Sequence, residues 1–122
     1  AAAAMQAEVE RFVLVSVLPE SWRERDLGDE VEYYFAVKKS AEVALSRSGL
    51  NWLILRPSLL LDDPGTGTVS LGPAELHGEI AREDVAATLA ELLHEPRIGR
   101  LILELNTGST PSEEAVRGNV RP

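Results

Sequence analysis

Apolar residues gather in three short runs, Phe12-Val13-Leu14-Val15, Trp52-Leu53-Ile54-Leu55 and Leu101 to Leu105, rather than alternating with polar ones. Such runs suit strands buried on both faces of a parallel sheet. Between the first two, Glu30 to Leu45 has helical periodicity, bounded by Asp29 before it and Gly49 after it. The predicted apolar stripe of this helix runs through Val37, Ala41, Ala44 and Leu45, and positions 34 and 38 fall on the same line. Strand, helix, strand in this order is a βαβ unit with a right-handed crossover. A second amphipathic helix is expected over Glu83 to Glu95, burying Val85, Leu89, Leu92 and Leu93. Turn signals at Pro64-Gly65, Gly67 and Gly72-Pro73 break up residues 59–78, leaving a short strand at Thr68 to Leu71. Thr110-Pro111-Ser112-Glu113 has the form of a capping box opening a short last helix. Ala1 to Glu10 reads as the end of a helix, and Leu18 to Asp29 as a charged loop over the carboxyl ends of the strands. The fold class is therefore α/β.

Composition narrows the function. With 12 basic against 20 acidic residues the net charge is −8, which argues against nucleic acid and against an anionic membrane surface as partners. No run is long enough to span a bilayer, and the start lacks the basic region and long apolar core of a signal peptide. The absence of cysteine removes disulfide and thiol chemistry and suits a cytoplasmic protein. A small-molecule substrate is the partner that remains.

Lysine is used twice, at Lys38 and Lys39, whereas arginine is used ten times. Lysine is a compact point charge whose protonation can be tuned. Lys38 follows Tyr34 by one helical turn, on a line with core positions where a solvated charge is out of place. A tyrosine with a reference pKa near ~10 exchanges protons poorly at neutral pH unless its phenolate is stabilised. An ammonium one turn away supplies that stabilisation. The bland reading is a tyrosine packed on a lysine stem. His77 and His94 are not spaced as metal ligands, Asp62-Asp63 before Pro64 reads as a turn, and Gly65-Thr66-Gly67 lacks the following helix of a phosphate loop. No metal site is expected.

The order Arg11 to Ser16, Tyr34-x-x-x-Lys38, Ser48-Gly49-Leu50-Asn51-Trp52 and Leu55-Arg56-Pro57 resembles the short-chain dehydrogenase/reductase superfamily. More closely it resembles the atypical NAD(P)H-binding branch with NmrA-like and flavin-reductase-like members. Asp62-Asp63-Pro64-Gly65-Thr66-Gly67 fits that branch, and Ile80-Ala81-Arg82-Glu83-Asp84-Val85-Ala86 is similar to its recurring Ile-x-Arg-x-Asp-Val-Ala. The resemblance implies that Tyr34 donates a proton as hydride leaves the nicotinamide. It implies that Lys38 binds the nicotinamide ribose and lowers the tyrosine pKa, and that Ser16 orients the substrate, with Val17 where related sequences often have a second serine. Pro57 and Ser58 would shape the loop beside the nicotinamide. One large departure concerns the phosphate cradle. The first glycine is Gly28, in a charged loop, and no glycine-rich turn follows an early strand.

The expectation is a single partial domain over residues 1–122. It would be the C-terminal part of a Rossmann-like doubly wound parallel sheet, lacking the N-terminal glycine-rich βαβ and with it the phosphate-binding part for NADP or NAD. Supplying that N-terminal half, or self-association, would cover the exposed sheet edge. The expected function is an NAD(P)-dependent oxidoreductase reducing a small carbonyl or quinone-like substrate when complete. The alternatives are a non-catalytic NAD(P)-binding regulator or assembly factor of NmrA-like type, and an interaction module that has lost its cofactor half.

Overall fold

The computed structural model describes residue 3, residues 11–16 and residues 29–120, with residues 29–35 described by their backbone. The expected regions Ala1 to Glu10 and Leu18 to Gly28 lie outside the described residues, apart from residue 3. The chain runs β1 (Phe12–Val15), α1 (Asp29–Ser46), β2 (Trp52–Pro57), β3 (Leu59–Leu61), β4 (Thr68–Gly72), β5 (Glu79–Ala81), α2 (Arg82–Leu93), β6 (Leu101–Thr107), β7 (Thr110–Pro111) and α3 (Ser112–Arg117).

The three apolar runs pair side by side. A five-stranded sheet has the order β1-β2-β6-β4-β7, with β1, β2 and β6 parallel and β4 antiparallel to β6. Register places Val15 beside Leu55, and Pro57 beside Leu105. Because successive side chains point to opposite faces, each run feeds two cores. Leu53, Leu55, Leu103 and Leu105 meet Val85 and Leu92 of α2 and Ala115 and Val116 of α3 on one face. Trp52 and Ile54 meet Leu45 of α1 on the other, with Phe12, Leu14 and Ile102 packed against them. Helices on both faces of a mainly parallel sheet make this the doubly wound, Rossmann-like architecture expected from the sequence.

Several local expectations are corrected. Val37 is 50% exposed, and Ala41 and Ala44 are exposed as well. The buried line of α1 runs instead through Glu42 and Leu45, with Lys38 half-buried. The helix is turned toward the sheet by an ion pair, described below, that periodicity does not register. In α2, Leu93 is exposed, whereas Asp84 and Thr88 are buried beside Val85 and Leu92. Thr88 can be buried because its hydroxyl donates to the Asp84 carbonyl one turn earlier, at 2.8 Å. The capping box does not form. Pro111 occupies the N-cap without a side-chain cap, and Thr110-Pro111 bridge to β4 instead. Residues 59–81 carry two further strands, β3 and β5, that pair in parallel as a small second sheet.

Candidate functional site

Ligands of open parallel sheets bind at the carboxyl ends of the strands, and two of the three residues expected to act chemically meet there. Ser16 follows β1, continues the ladder through its N–H to the Leu55 carbonyl at 2.7 Å, and is 4% exposed. Lys38 reaches down from α1 so that its Nζ donates to the Val15 carbonyl at 3.3 Å. Its ammonium therefore sits at the last residue of β1, next to Ser16. Tyr34 belongs to α1 by its backbone, one turn before Lys38, and its side chain lies outside the described residues. Lys39 points away and is exposed.

Pro57 is buried at the end of β2. Ser58, 1% exposed, donates its N–H to the Leu105 carbonyl at 2.8 Å and accepts from the Gly78 N–H at 3.4 Å. Its hydroxyl thus ties the start of β5 to the carboxyl end of β2.

One turn beyond Lys38, Glu42 forms a bidentate pair with Arg56: Nε to Oε2 at 2.9 Å and Nη2 to Oε1 at 2.6 Å. The Glu42 side chain is 8% exposed and that of Arg56 27%. Burial pushes the Glu42 carboxyl up, but hydrogen bonds from Arg56 and Ser16 and the charges of Arg56 and Lys39 outweigh it, leaving it below the usual carboxylate value. Arg56 carries the effect, because Ser16 Oγ, although close to the carboxylate, is buried without a hydrogen bond in good geometry. The pair was missed by periodicity. The signal for it was Arg56 itself, a charge inside a buried strand, which needs a partner.

The Ile80-to-Ala86 motif builds one wall of a cleft. Asp84, 3% exposed in the first turn of α2, accepts from the N–H groups of Thr66 at 3.0 Å and Gly67 at 2.9 Å. Glu83 accepts from the Gly65 N–H at 2.9 Å, and Arg82 donates to Asp62 at 2.9 Å. Gly67 has φ of 78°, a left-handed conformation that favours glycine while its N–H turns toward Asp84. The motif is thus a clamp on the 62–67 loop, and both acids also suit the positive end of the helix. The clamped loop forms one side of an open cleft of about 760 Å³, lined by Asp63, Thr66, His77, Glu79 and Thr107 among others. Asp84→Ala is expected to remove the acceptor of two part-buried N–H groups and cost about 1–2 kcal/mol. Hydrogen exchange of the Thr66 and Gly67 amides, together with thermal unfolding, measures it; unchanged protection at both amides contradicts the clamp.

Among the described residues no group of three or more His, Cys, Asp or Glu is arranged to hold a metal ion, and no helix is long and apolar enough to cross a membrane.

A family model described as NAD(P)H-binding matches residues 1–96. The chain is 37% identical over 115 residues to YhfK of Bacillus subtilis, named an uncharacterized sugar epimerase, covering 94% of this chain and 53% of that protein. The crystal structure of the oxidoreductase ylbE from Lactococcus lactis superposes with a TM-score of 0.81 at 26% identity, over 96% of this chain and 55% of that one. ChuY, an anaerobillin reductase from Escherichia coli O157:H7, superposes with a TM-score of 0.68 at 32% identity, over 87% and 54% of the two chains. The chain therefore spans about half the length of the proteins it matches. The Rossmann-like sheet, the match over most of the sequence and these likenesses agree, and the chain belongs to the NAD(P)H-binding family.

Proposed function

We propose that the protein carrying this chain is an NAD(P)-dependent oxidoreductase that reduces a small carbonyl or quinone-like substrate, and that this chain supplies its proton-donating end. The observation that carries the reading is the meeting of Lys38 Nζ with the Val15 carbonyl beside buried Ser16. A cation held at the carboxyl end of a parallel strand, with a hydroxyl that has no well-formed partner, fits the ribose-and-carbonyl end of a nicotinamide cofactor. When bound, that cofactor supplies the hydride. Tyr34 gives its phenolic proton to the carbonyl oxygen, Lys38 stabilises the phenolate left behind and holds ribose hydroxyls, and Ser16 orients the carbonyl.

The remaining parts of the reading concern the rest of the assembly. The residues that hold the cofactor phosphates lie outside this chain. Pro57 and the backbone around Ser58 shape the nicotinamide loop, since the Ser58 hydroxyl already accepts from Gly78. β1 ends the sheet order among the described residues, and its outer backbone edge is the place for further strands of the protein or for a second copy. The compartment is the cytoplasm.

The test is oxidation of NADH and NADPH by the protein against a panel of aldehydes, ketones and quinones, with cofactor binding measured in parallel. Substrate-dependent oxidation supports the reading. Saturable cofactor binding without turnover on any member of the panel replaces it with the NmrA-like regulator.

A further inference from the structure

On the α1 face of the sheet, side chains are apolar through Leu14, Ile54 and Ile102. Strand alternation then puts Ser16, Arg56, Glu104 and Asn106 on that same face, closer to the carboxyl ends. Ser70 of β4 pairs with Asn106 and joins them. A polar shelf thus crosses the sheet. Helix α1 covers its β1–β2 end through Glu42, whereas the loop of residues 73–78 covers its β6–β4 end. Glu75 of that loop donates its N–H to Glu104 at 2.8 Å, and its carboxylate accepts from the Ser70 hydroxyl. Gly78 lies against Asn106 so closely that a Cβ there would stand 3.0 Å from Oδ1.

A pocket of about 200 Å³ opens at this end, lined by Ser70, Glu75, Asn106, Thr107, Ser109 and Thr110 among others. Asn106 is 9% exposed, and its Oδ1 has no hydrogen-bond partner. A buried unpaired acceptor in a native structure calls for an explanation. A single structural water does not fill the space, because at ~30 Å³ per molecule the volume corresponds to about seven waters.

We infer that this pocket binds a neutral polyhydroxylated group, such as the vicinal hydroxyls of a sugar or polyol, with Asn106 as its central contact. A hydroxyl both donates and accepts, which matches an amide that offers both, flanked by the hydroxyls of Ser70, Thr107, Ser109 and Thr110. The terminal torsion of asparagine is broad, so a modest rotation turns the amide toward the pocket. Glu75 and Glu104 disfavour an anion there. An ammonium brings donors alone and leaves the amide nitrogen unanswered. The inference rests on the oxidoreductase reading and deepens it by naming a polyhydroxylated group that the substrate carries on the sheet face it shares with Ser16.

The test reads binding alone, with myo-inositol, which has no carbonyl to reduce, titrated into ¹⁵N-labelled protein. The expected result is a saturable shift of the Ser70 and Asn106-to-Thr110 backbone amides and of the Asn106 side-chain amide, in the millimolar range. Asn106→Leu should weaken it by roughly tenfold or more. Ser70→Ala, a milder change, provides the second variant should Asn106→Leu lose the fold. No saturable shift, an undiminished shift in both folded variants, or tighter binding of inorganic phosphate or ethylammonium at the same amides overturns the inference. Inositol binding in a protein that turns over no carbonyl would leave this site standing and remove the oxidoreductase reading.

Discussion

Tyr34→Phe is expected to lower turnover by roughly 10²–10⁴-fold, the range for losing a general acid, while leaving cofactor affinity nearly unchanged. The substitution removes one hydroxyl and keeps the ring. Without the phenol, the alkoxide formed as hydride arrives must take its proton from water, which is neither positioned nor matched to it. Lys38→Ala should reduce both turnover and cofactor affinity, because the proposed function gives the same ammonium to the ribose and the phenolate. Lys39→Ala is the internal control. The two lysines are adjacent and carry the same charge, but α1 turns one toward the Val15 carbonyl and leaves the other exposed. Steady-state kinetics with NADH and NADPH, together with fluorescence titration of cofactor, separate the two effects. Full activity in Tyr34→Phe, or equal damage from either lysine, places the proton donor elsewhere.

Arg56→Ala is expected to destabilise the fold by about 3 kcal/mol, the lower end for breaking a buried pair, since part of the Arg56 side chain is exposed. The loss comes mainly from what remains. Glu42 would keep a buried carboxylate with its bidentate partner gone, and burial would then drive its proton affinity up rather than be outweighed. Glu42→Leu combined with Arg56→Met should lie closer to the wild type than Arg56→Ala does, because two apolar groups need no partner. Denaturant unfolding at neutral pH measures both. The pair also sets a direction with pH. Glu42 is depressed in the folded state, so its stabilisation is fully present above its unfolded value near ~4.3 and fades as pH falls through the lower folded value. Glu42→Gln should flatten that acid limb of the stability curve. An unchanged limb means that other carboxylates govern it.

Lys38 and the cleft wall differ in what holds them. Lys38 is fixed by a strand carbonyl and by the helix it stands on, whereas the cleft wall at residues 62–67 is fixed by Asp84 and Glu83 from a different helix. A defect in the clamp therefore alters the wall of this cleft, which neither Ser16 nor Lys38 lines, and leaves the proposed proton-donating group in place. Asp84→Ala and Tyr34→Phe should accordingly have separable effects on KM and kcat.

What could be read from sequence alone was local. Unbroken apolar runs identified β1, β2 and β6 because a strand buried on both faces has no polar side to show, and helical periodicity between Asp29 and Gly49 marked α1, which ends at Ser46. The Tyr34–Lys38 spacing was legible for the same reason, since i and i+4 share a helix face whatever the helix packs on. The rotation of α1 was not legible. Val37, Ala41 and Ala44 formed as good an apolar line as the true one, and the choice fell to a carboxylate at Glu42 that meets a guanidinium 14 residues away. Nor could periodicity show that Asp84 would take the N–H groups of a loop 18 and 17 residues earlier, or that β3 and β5 would pair. Those contacts join groups that only the completed sheet brings together, and a polar group's place is decided by whichever partner answers it once water is excluded.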